Sequence, residues 1–265
     1  MIVFPHCKIN LDLRVLGKRP DGFHDLETIF YPVEIRDALE MIPSDSLSLH
    51  ITGQDIPGDP GTNLCMRAYD LLKADFTSVR PVSIHLHKQI PMGAGLGGGS
   101  ADGAFALRLL NRLFRLGLTQ EQLLPYAATL GSDCPFFLYD EPCRASGRGE
   151  ILQPVRLDLS SYQLVLVNPG IHVNTGWAFG QLGARDMAAG AALPPIEQWR
   201  SAFRNDFEAP VFHAYPEIGR IKDALYAKGA VYASMSGSGS TVFGFFAKGI
   251  TPALDFPASY WVSVV

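Results

Sequence analysis

The stretch PMGAGLGGGSADGAFALRLLN, residues 91–111, sets five glycines and a serine directly against the start of an amphipathic helix. Six of the nine residues that follow Pro91 are glycine or alanine. Glycine lets backbone N–H groups approach a ligand with no Cβ in the way. A helix N-terminus adds unpaired N–H donors and a partial positive charge. The combination predicts a phosphate cradle, with Ser100 placed to hydrogen-bond a phosphate or to ligate Mg²⁺. Residues 93–98 also satisfy G-x-G-x-x-G, but no acidic residue stands at a strand end about twenty positions later, as ribose recognition requires. No Gly-Lys-[Ser/Thr] closes the loop, so it is not a Walker A loop.

Outward from this stretch the chain alternates strand and helix patterns. KINLDLRVLGKR (8–19) places Ile9, Leu11, Leu13 and Val15 on one face of a strand, PDGFHDL (20–26) is a turn signal, and ETIFYPVEI (27–35) reads as a second strand. SLSLHIT (46–52) and VSIHLHKQ (82–89) alternate likewise. Between them TNLCMRAYDLLKA (62–74) has helical spacing, with Thr62 or Asn63 as its cap. TQEQLLPYAATLG (119–131) is a further helix, with Thr119 and Gln122 spaced for a capping box. Near residue 155 the texture changes, and a domain boundary is placed there. YQLVLVNPG (162–170) reads as a buried strand, GARDMAAGAALPP (183–195) as a small-residue loop, and PEIGRIKDALYAKG (216–229) as a helix stopped at Gly229. AVYASMSGSGSTVFGFF (230–246) reads as strand, glycine turn, strand.

The bulk numbers fit a globular enzyme: 265 residues, 47% hydrophobic and 18% charged. A net charge of −4 with no run of Lys or Arg argues against nucleic acid as partner. Anionic ligands must then be met locally, and Lys18, Arg19 and Lys88 are candidates for that compensation. The N-terminal MIVFPHCKINLDLRV lacks the regions of a secretory signal, and no run of about 18 apolar residues offers a membrane span, so a cytoplasmic location is expected. Cys7, Cys65, Cys134 and Cys143 form no C-x-x-C pair and read as packed thiols. His85 and His87 face one way from a strand, but no third ligand stands near, and no protein-held metal is expected.

PMGAGLGGGSA (91–101) resembles the phosphate loop of the galactose/homoserine/mevalonate/phosphomevalonate kinase superfamily. KINLDLRVLGKRPDGFHDLETIF (8–30), LGSDCPFFL (130–138) and SMSGSGSTVFGFF (234–246) follow in order. These stretches and the triple glycine after Leu96 are most similar to the branch that phosphorylates the 2-hydroxyl of a cytidine diphosphate sugar-alcohol on the non-mevalonate route to isoprenoids. The resemblance implies a two-domain α/β fold of the α+β kind: residues 1–155 form an ATP-binding and catalytic domain, and 156–265 a ferredoxin-like domain across the active-site cleft. It implies ATP and Mg²⁺ as the reaction's companions.

The same resemblance assigns roles. Asp133 is the proposed general base and Lys8 its partner. The ATP phosphates lie among Pro91, Gly93, Gly95, Gly97, Gly98, Gly99 and Ser100, with Asn63 near the adenine. His24 reads the cytosine edge, Phe23 stacks on the ring where the branch commonly has tyrosine, and Phe179, with Trp177 as a competitor, supplies a second aromatic. Asn10 bonds the erythritol or diphosphate portion. The chain departs from the branch at Ala94, at SADGA (100–104) and at Cys134, none of which removes a group that the transfer needs. A homoserine- or mevalonate-type kinase is the alternative within the superfamily, opposed by the Phe23–His24 pair. A catalytically silent ligand sensor is the other, opposed by Lys8 and Asp133.

Overall fold

The computed structural model describes residues 1–54, 60–182, 193–250, 252–253 and 255–265. Of the small-residue loop read at 183–195, residues 183–192 lie outside the described residues. In chain order the strands are β1 (Ile2–Val3), β2 (His6–Lys18), β3 (His24–Arg36), β4 (Ala38–Pro43), β5 (Ser48–Gly53) and β6 (Val82–Lys88), with helix α1 (Leu64–Asp75) before β6. Helices α2 (Gly98–Leu113) and α3 (Gln120–Leu130) and a 3₁₀ turn (Cys134–Leu138) follow, then β7 (Cys143–Ser146), β8 (Ile151–Pro154) and β9 (Tyr162–Asn168). The remainder comprises α4 (Thr175–Gly180), α5 (Trp199–Ala202), α6 (Glu208–Ala214), α7 (Pro216–Ala227), β10 (Tyr232–Met235), β11 (Val242–Ala247) and β12 (Trp261–Val264).

Among the described residues the strands form three four-stranded sheets, ordered β1-β4-β6-β5, β2-β3-β7-β8 and β10-β11-β9-β12. The chain divides into two compact units. The first comprises 1–8, 32–92 and 97–141, and the second 9–31, 93–96 and 142–265.

In the first unit β6 is central, antiparallel to β4 and parallel to β5. Its alternation is strict: Val82, Ile84, Leu86 and Lys88 are buried, while His85 and His87 are exposed. The exposed histidines make surface contacts, His85 stacking on His50 at 5.0 Å and His87 meeting Thr52 at 2.9 Å. Helix α2 is buried on most of its circumference, from Ala101 to Leu107 without a break. It packs against α1, α3, the 3₁₀ turn and β4. That burial explains its run of alanine and glycine, because small side chains admit several neighbours at once. The capping residues act as read: Asn63 accepts the Cys65 N–H at 2.9 Å, and both bonds of the Thr119–Gln122 capping box are present.

In the second unit β9 lies between β11 and β12, antiparallel to both. Its residues Leu164 to Val167 are all buried, as expected of a central strand with a continuous apolar run. Helix α7 covers β10 and β11, placing Ile218, Ile221 and Leu225 in a core with Val165, Val167, Val242 and Phe246. Leu13 and Val15 of β2 belong to the same core.

Candidate active site

Lys8 and Asn10 are two apart on β2 and therefore share a face, opposite the Ile9, Leu11 and Leu13 side. Both are buried, Lys8 at 3% and Asn10 at 5% exposure. A lysine on a strand this deep calls for an acid. In the first unit the Lys8 ammonium stands 3.4 Å from the Asp133 carboxylate. Asp133 precedes the 3₁₀ turn, yet its side chain makes no capping bond to it. The carboxylate is one-third exposed, so it is supported by Lys8 and open to an incoming group.

The glycine loop reaches the same place. Gly97 is the N-cap of α2 with φ of 70°, and a Cβ there would lie 3.0 Å from Phe137 and 3.1 Å from the Lys8 stem. Glycine at 97 thus provides a left-handed turn and close packing on Lys8 together. No side chain caps α2, so the amides of its first turn lack a capping side-chain acceptor. Gly99 has open space around it, with Met92 Cε 3.8 Å away as the nearest atom to a notional Cβ. The Ser100 hydroxyl hydrogen-bonds the thiol of Cys134, next to Asp133. Burial pushes the Cys134 thiol up to about 12, which makes it a packing group and not a nucleophile. Asn63 stands at the N-cap of α1.

The second unit holds the other predicted residues. Gly93 and Gly95 have φ of 62° and 77°, and a Cβ on Gly95 would lie 1.9 Å from the Ser236 carbonyl oxygen. The Ser236 hydroxyl donates to the Gly95 carbonyl at 2.7 Å and accepts the Asn10 N–H at 3.1 Å. The SGSGST turn (236–241) is therefore bonded to both the loop and Asn10. Asn10 also donates through Nδ2 to Thr28 at 3.3 Å. Asn205 holds the turn from behind, donating to the carbonyls of Met235 at 2.7 Å and Gly237 at 2.8 Å.

His24 stacks on Phe179, with ring centres 4.6 Å apart and planes 15° from parallel. Trp177 instead packs edge-on against Tyr215 at 5.8 Å, so Phe179 is the aromatic that meets His24. Phe23 is 51% exposed, with the Arg148 guanidinium over its ring at 4.7 Å.

Two of the cations read as local compensation are engaged otherwise. Arg19 pairs with Asp21 and Asp25, the latter at 2.7 Å. Lys88 is fully buried and pairs with Asp37 and Asp102. Its place was legible, because position 88 continues the buried register of 82, 84 and 86. Ser236 was legible only as part of the glycine turn, and Thr28 and Asn205 carried no such signal.

Residues 63–141 match the family model described as the GHMP kinases N terminal domain, and 188–253 match GHMP kinases C terminal. A Bacteroides fragilis protein named 4-diphosphocytidyl-2-C-methyl-D-erythritol kinase is 51% identical, over 98% of this chain and 97% of its own length. A protein of the same name from Bacteroides thetaiotaomicron is 48% identical, over 97% and 96%. A crystal structure of 4-(cytidine 5'-diphospho)-2C-methyl-D-erythritol kinase superposes with a TM-score of 0.79 at 32% identity, covering 100% of this chain and 98% of that one. A homoserine kinase from Cytophaga hutchinsonii, at 17% identity and a TM-score of 0.72 over 99% and 94% of the two chains, shares the fold. Identity of this extent, over nearly the whole of both chains, places the chain in the 4-diphosphocytidyl-2-C-methyl-D-erythritol kinase family of GHMP kinases.

Proposed function

We propose that the chain transfers the γ-phosphoryl group of ATP to the 2-hydroxyl of 4-diphosphocytidyl-2-C-methyl-D-erythritol, a step of the non-mevalonate isoprenoid pathway. The observation that carries the chemistry is the Lys8–Asp133 pair at 3.4 Å, with the glycine loop packed against the Lys8 stem at Gly97. Phosphoryl transfer asks the protein mainly for positioning and charge stabilisation. Asp133 accepts the proton of the 2-hydroxyl as its oxygen bonds to the γ-phosphorus. The bond from that phosphorus to the β,γ-bridging oxygen breaks, and ADP leaves with the electron pair. Lys8 holds the carboxylate in place and sets a positive charge beside the reacting oxygens. The loop amides and Ser100 receive the triphosphate, and Asn63 lies toward the adenine.

Mg²⁺ accompanies the triphosphate in this reading. The Ser100 hydroxyl is the hard oxygen donor that would meet it, the rest of its shell being phosphate oxygens and water, so that Asp133 stays free for the proton. When bound, it neutralises charge on the phosphates.

For the acceptor, His24 carries the cytosine edge contact, its ring stacked on Phe179, while Phe23 offers an exposed face and Asn10 the polar contact to the erythritol or diphosphate portion. The division of labour between 1–155 for ATP and catalysis and 156–265 as a ferredoxin-like domain belongs to the same proposal. The test is ATP consumption measured in parallel with the cytidine substrate, mevalonate, homoserine and galactose. Turnover with the cytidine compound alone is expected. Turnover with another acceptor discards the cytosine site, and ATP binding without turnover on any acceptor discards the kinase reading.

A further inference from the structure

Next to the start of α2 the first unit buries an ion cluster that phosphoryl transfer, as described, does not use. The side chains of Lys88 and Asp37 are fully buried and that of Asp102 is 3% exposed. Lys88 Nζ donates to Asp37 Oδ2 and, at 2.7 Å, to Asp102 Oδ2. The other Asp37 oxygen accepts the backbone N–H of Gln89 at 2.6 Å and of Ile90 at 2.9 Å. Asp102 lies in the second turn of α2, and its Oδ1 is buried with no hydrogen-bond partner. A Cβ on Gly98 would stand 2.8 Å from Ile90 Cγ2 and 3.4 Å from Lys88 Nζ. The first residue of the helix therefore rests on the cluster.

These bonds join the two ends of the glycine loop. Asp37 holds the backbone at 89–90, where the chain leaves β6, and Asp102 belongs to the helix that the loop enters. Lys88 connects the two carboxylates. Charge-assisted bonds of this kind are short, directional and stronger than neutral ones. As a source of stability a buried ion cluster is poor, because apolar side chains of similar volume often serve as well or better. What an apolar contact cannot supply is a fixed distance between two named backbone segments.

We infer that Lys88, Asp37 and Asp102 are positioning residues that set the separation of the two ends of the phosphate loop, and with it the amide geometry offered to ATP. The inference rests on the reading of 91–100 as the ATP cradle. Burial pushes the Asp102 carboxyl up to about 7 against the pull of Lys88. Burial also opposes the Lys88 ammonium, but the two carboxylates outweigh it and raise its pKa. The cluster therefore keeps its cation, and a carboxyl that retains a proton near neutrality limits negative charge beneath an anion site.

The experiment compares steady-state kinetics and thermal melting of the full chain with Asp37→Asn/Lys88→Met/Asp102→Leu, Asp102→Asn and Ser100→Ala. The triple variant removes all three charges, so no carboxylate stays buried without its cation, and the amide oxygen at position 37 keeps the two backbone donors; it is expected to remain folded. Its KM for ATP should rise about tenfold or more, while the KM for the cytidine substrate stays within about twofold. Asp102→Asn, which keeps an oxygen for Lys88, should hold the ATP KM within about threefold of wild type. The inference is overturned by a triple variant that does not fold, by an ATP KM that does not move, by both KM values rising together, or by an Asn variant as impaired as the triple one. Ser100→Ala separates the two readings: if it raises the ATP KM and the triple variant does not, the clamp alone fails. If neither raises it, the cradle reading fails as well.

Discussion

Asp133 takes its character from what it does not do: it stands at the start of a 3₁₀ turn without capping it, one-third exposed and 3.4 Å from Lys8. A carboxylate left out of local structure in this way is available to a substrate proton. Asp133→Asn keeps the shape and removes the proposed base, so kcat should fall by roughly 10²–10⁴, the range for loss of a general base, and the melting temperature should fall as well because the buried Lys8 loses its carboxylate. Single-turnover kinetics at saturating ATP measure this, and near-wild-type turnover would mean that the carboxylate only orients the hydroxyl. Glycine at 95 answers to different physics. Its φ is 77°, and an added Cβ would lie 1.9 Å from the Ser236 carbonyl oxygen. Gly95→Ala therefore meets left-handed strain of about 1–2 kcal/mol and a backbone clash besides. The melting temperature should drop by at least about 2–4 °C, the shift that 1 kcal/mol produces in a chain of this size. At Gly99 a Cβ meets nothing closer than 3.8 Å, so Gly99→Ala should melt like the wild type. Equal melting of the two variants would contradict the packing of the loop on the SGSGST turn.

Elements formed where a local signal was strong. Helix α3 begins with Thr119 accepting the Gln122 N–H at 3.4 Å while the Gln122 side chain accepts the Thr119 N–H at 2.9 Å. Thr119→Ala removes one of these bonds at an exposed helix end and should cost about 0.5–2 kcal/mol in urea unfolding, with both KM values unchanged. A kinetic effect would mean that α3 is coupled to catalysis. The same local signals made α1, α2, α7 and strands β2, β3, β6 and β9 legible in sequence, each by period, cap or glycine stop. Strands β4, β7, β8 and β12 were not, because four to six residues such as CRAS or ILQP carry too few alternations, even where, as for β7 and β8, the pairing partner is close along the chain. The site divides likewise. Lys8, Asp133, His24 and the glycines lie in motifs with a chemical reason to be there. The Ser236–Gly95 and Asn205–Gly237 bonds exist only once segments more than thirty residues apart are brought together. Phe23 shows the limit of reading by motif: the turn was legible, but the Arg148 guanidinium over its ring was not.

At the scale of the whole molecule, global stability carries a titration that reports on the buried cluster. The groups facing the Asp102 carboxyl are the Lys88 ammonium from β6, the Asp37 carboxylate from the β3–β4 junction and the Cys65 thiol of α1, whose pKa burial holds well above its usual range. Burial raises the Asp102 carboxyl from 3.8 to about 7 in the folded chain. In the unfolded chain it titrates near the lower value. Between these two pH values the folded state holds a proton that the unfolded state has released, so the unfolded state binds fewer protons and stability falls as pH rises. The contribution is complete below about pH 4 and lost by about pH 7 and above. Asp102→Asn has no proton to lose and should not share that fall. The difference in melting temperature, variant minus wild type, is therefore expected to grow more positive from pH 4 to pH 7 and to level off above. Subtracting one curve from the other cancels the titrations that the two proteins have in common, so the slope belongs to position 102. A difference that is flat across this window would show that Asp102 is ionised throughout, its charge fully met by Lys88. A difference of the opposite sign would show a carboxylate that folding stabilises, and the cluster would then be an ordinary buried ion pair.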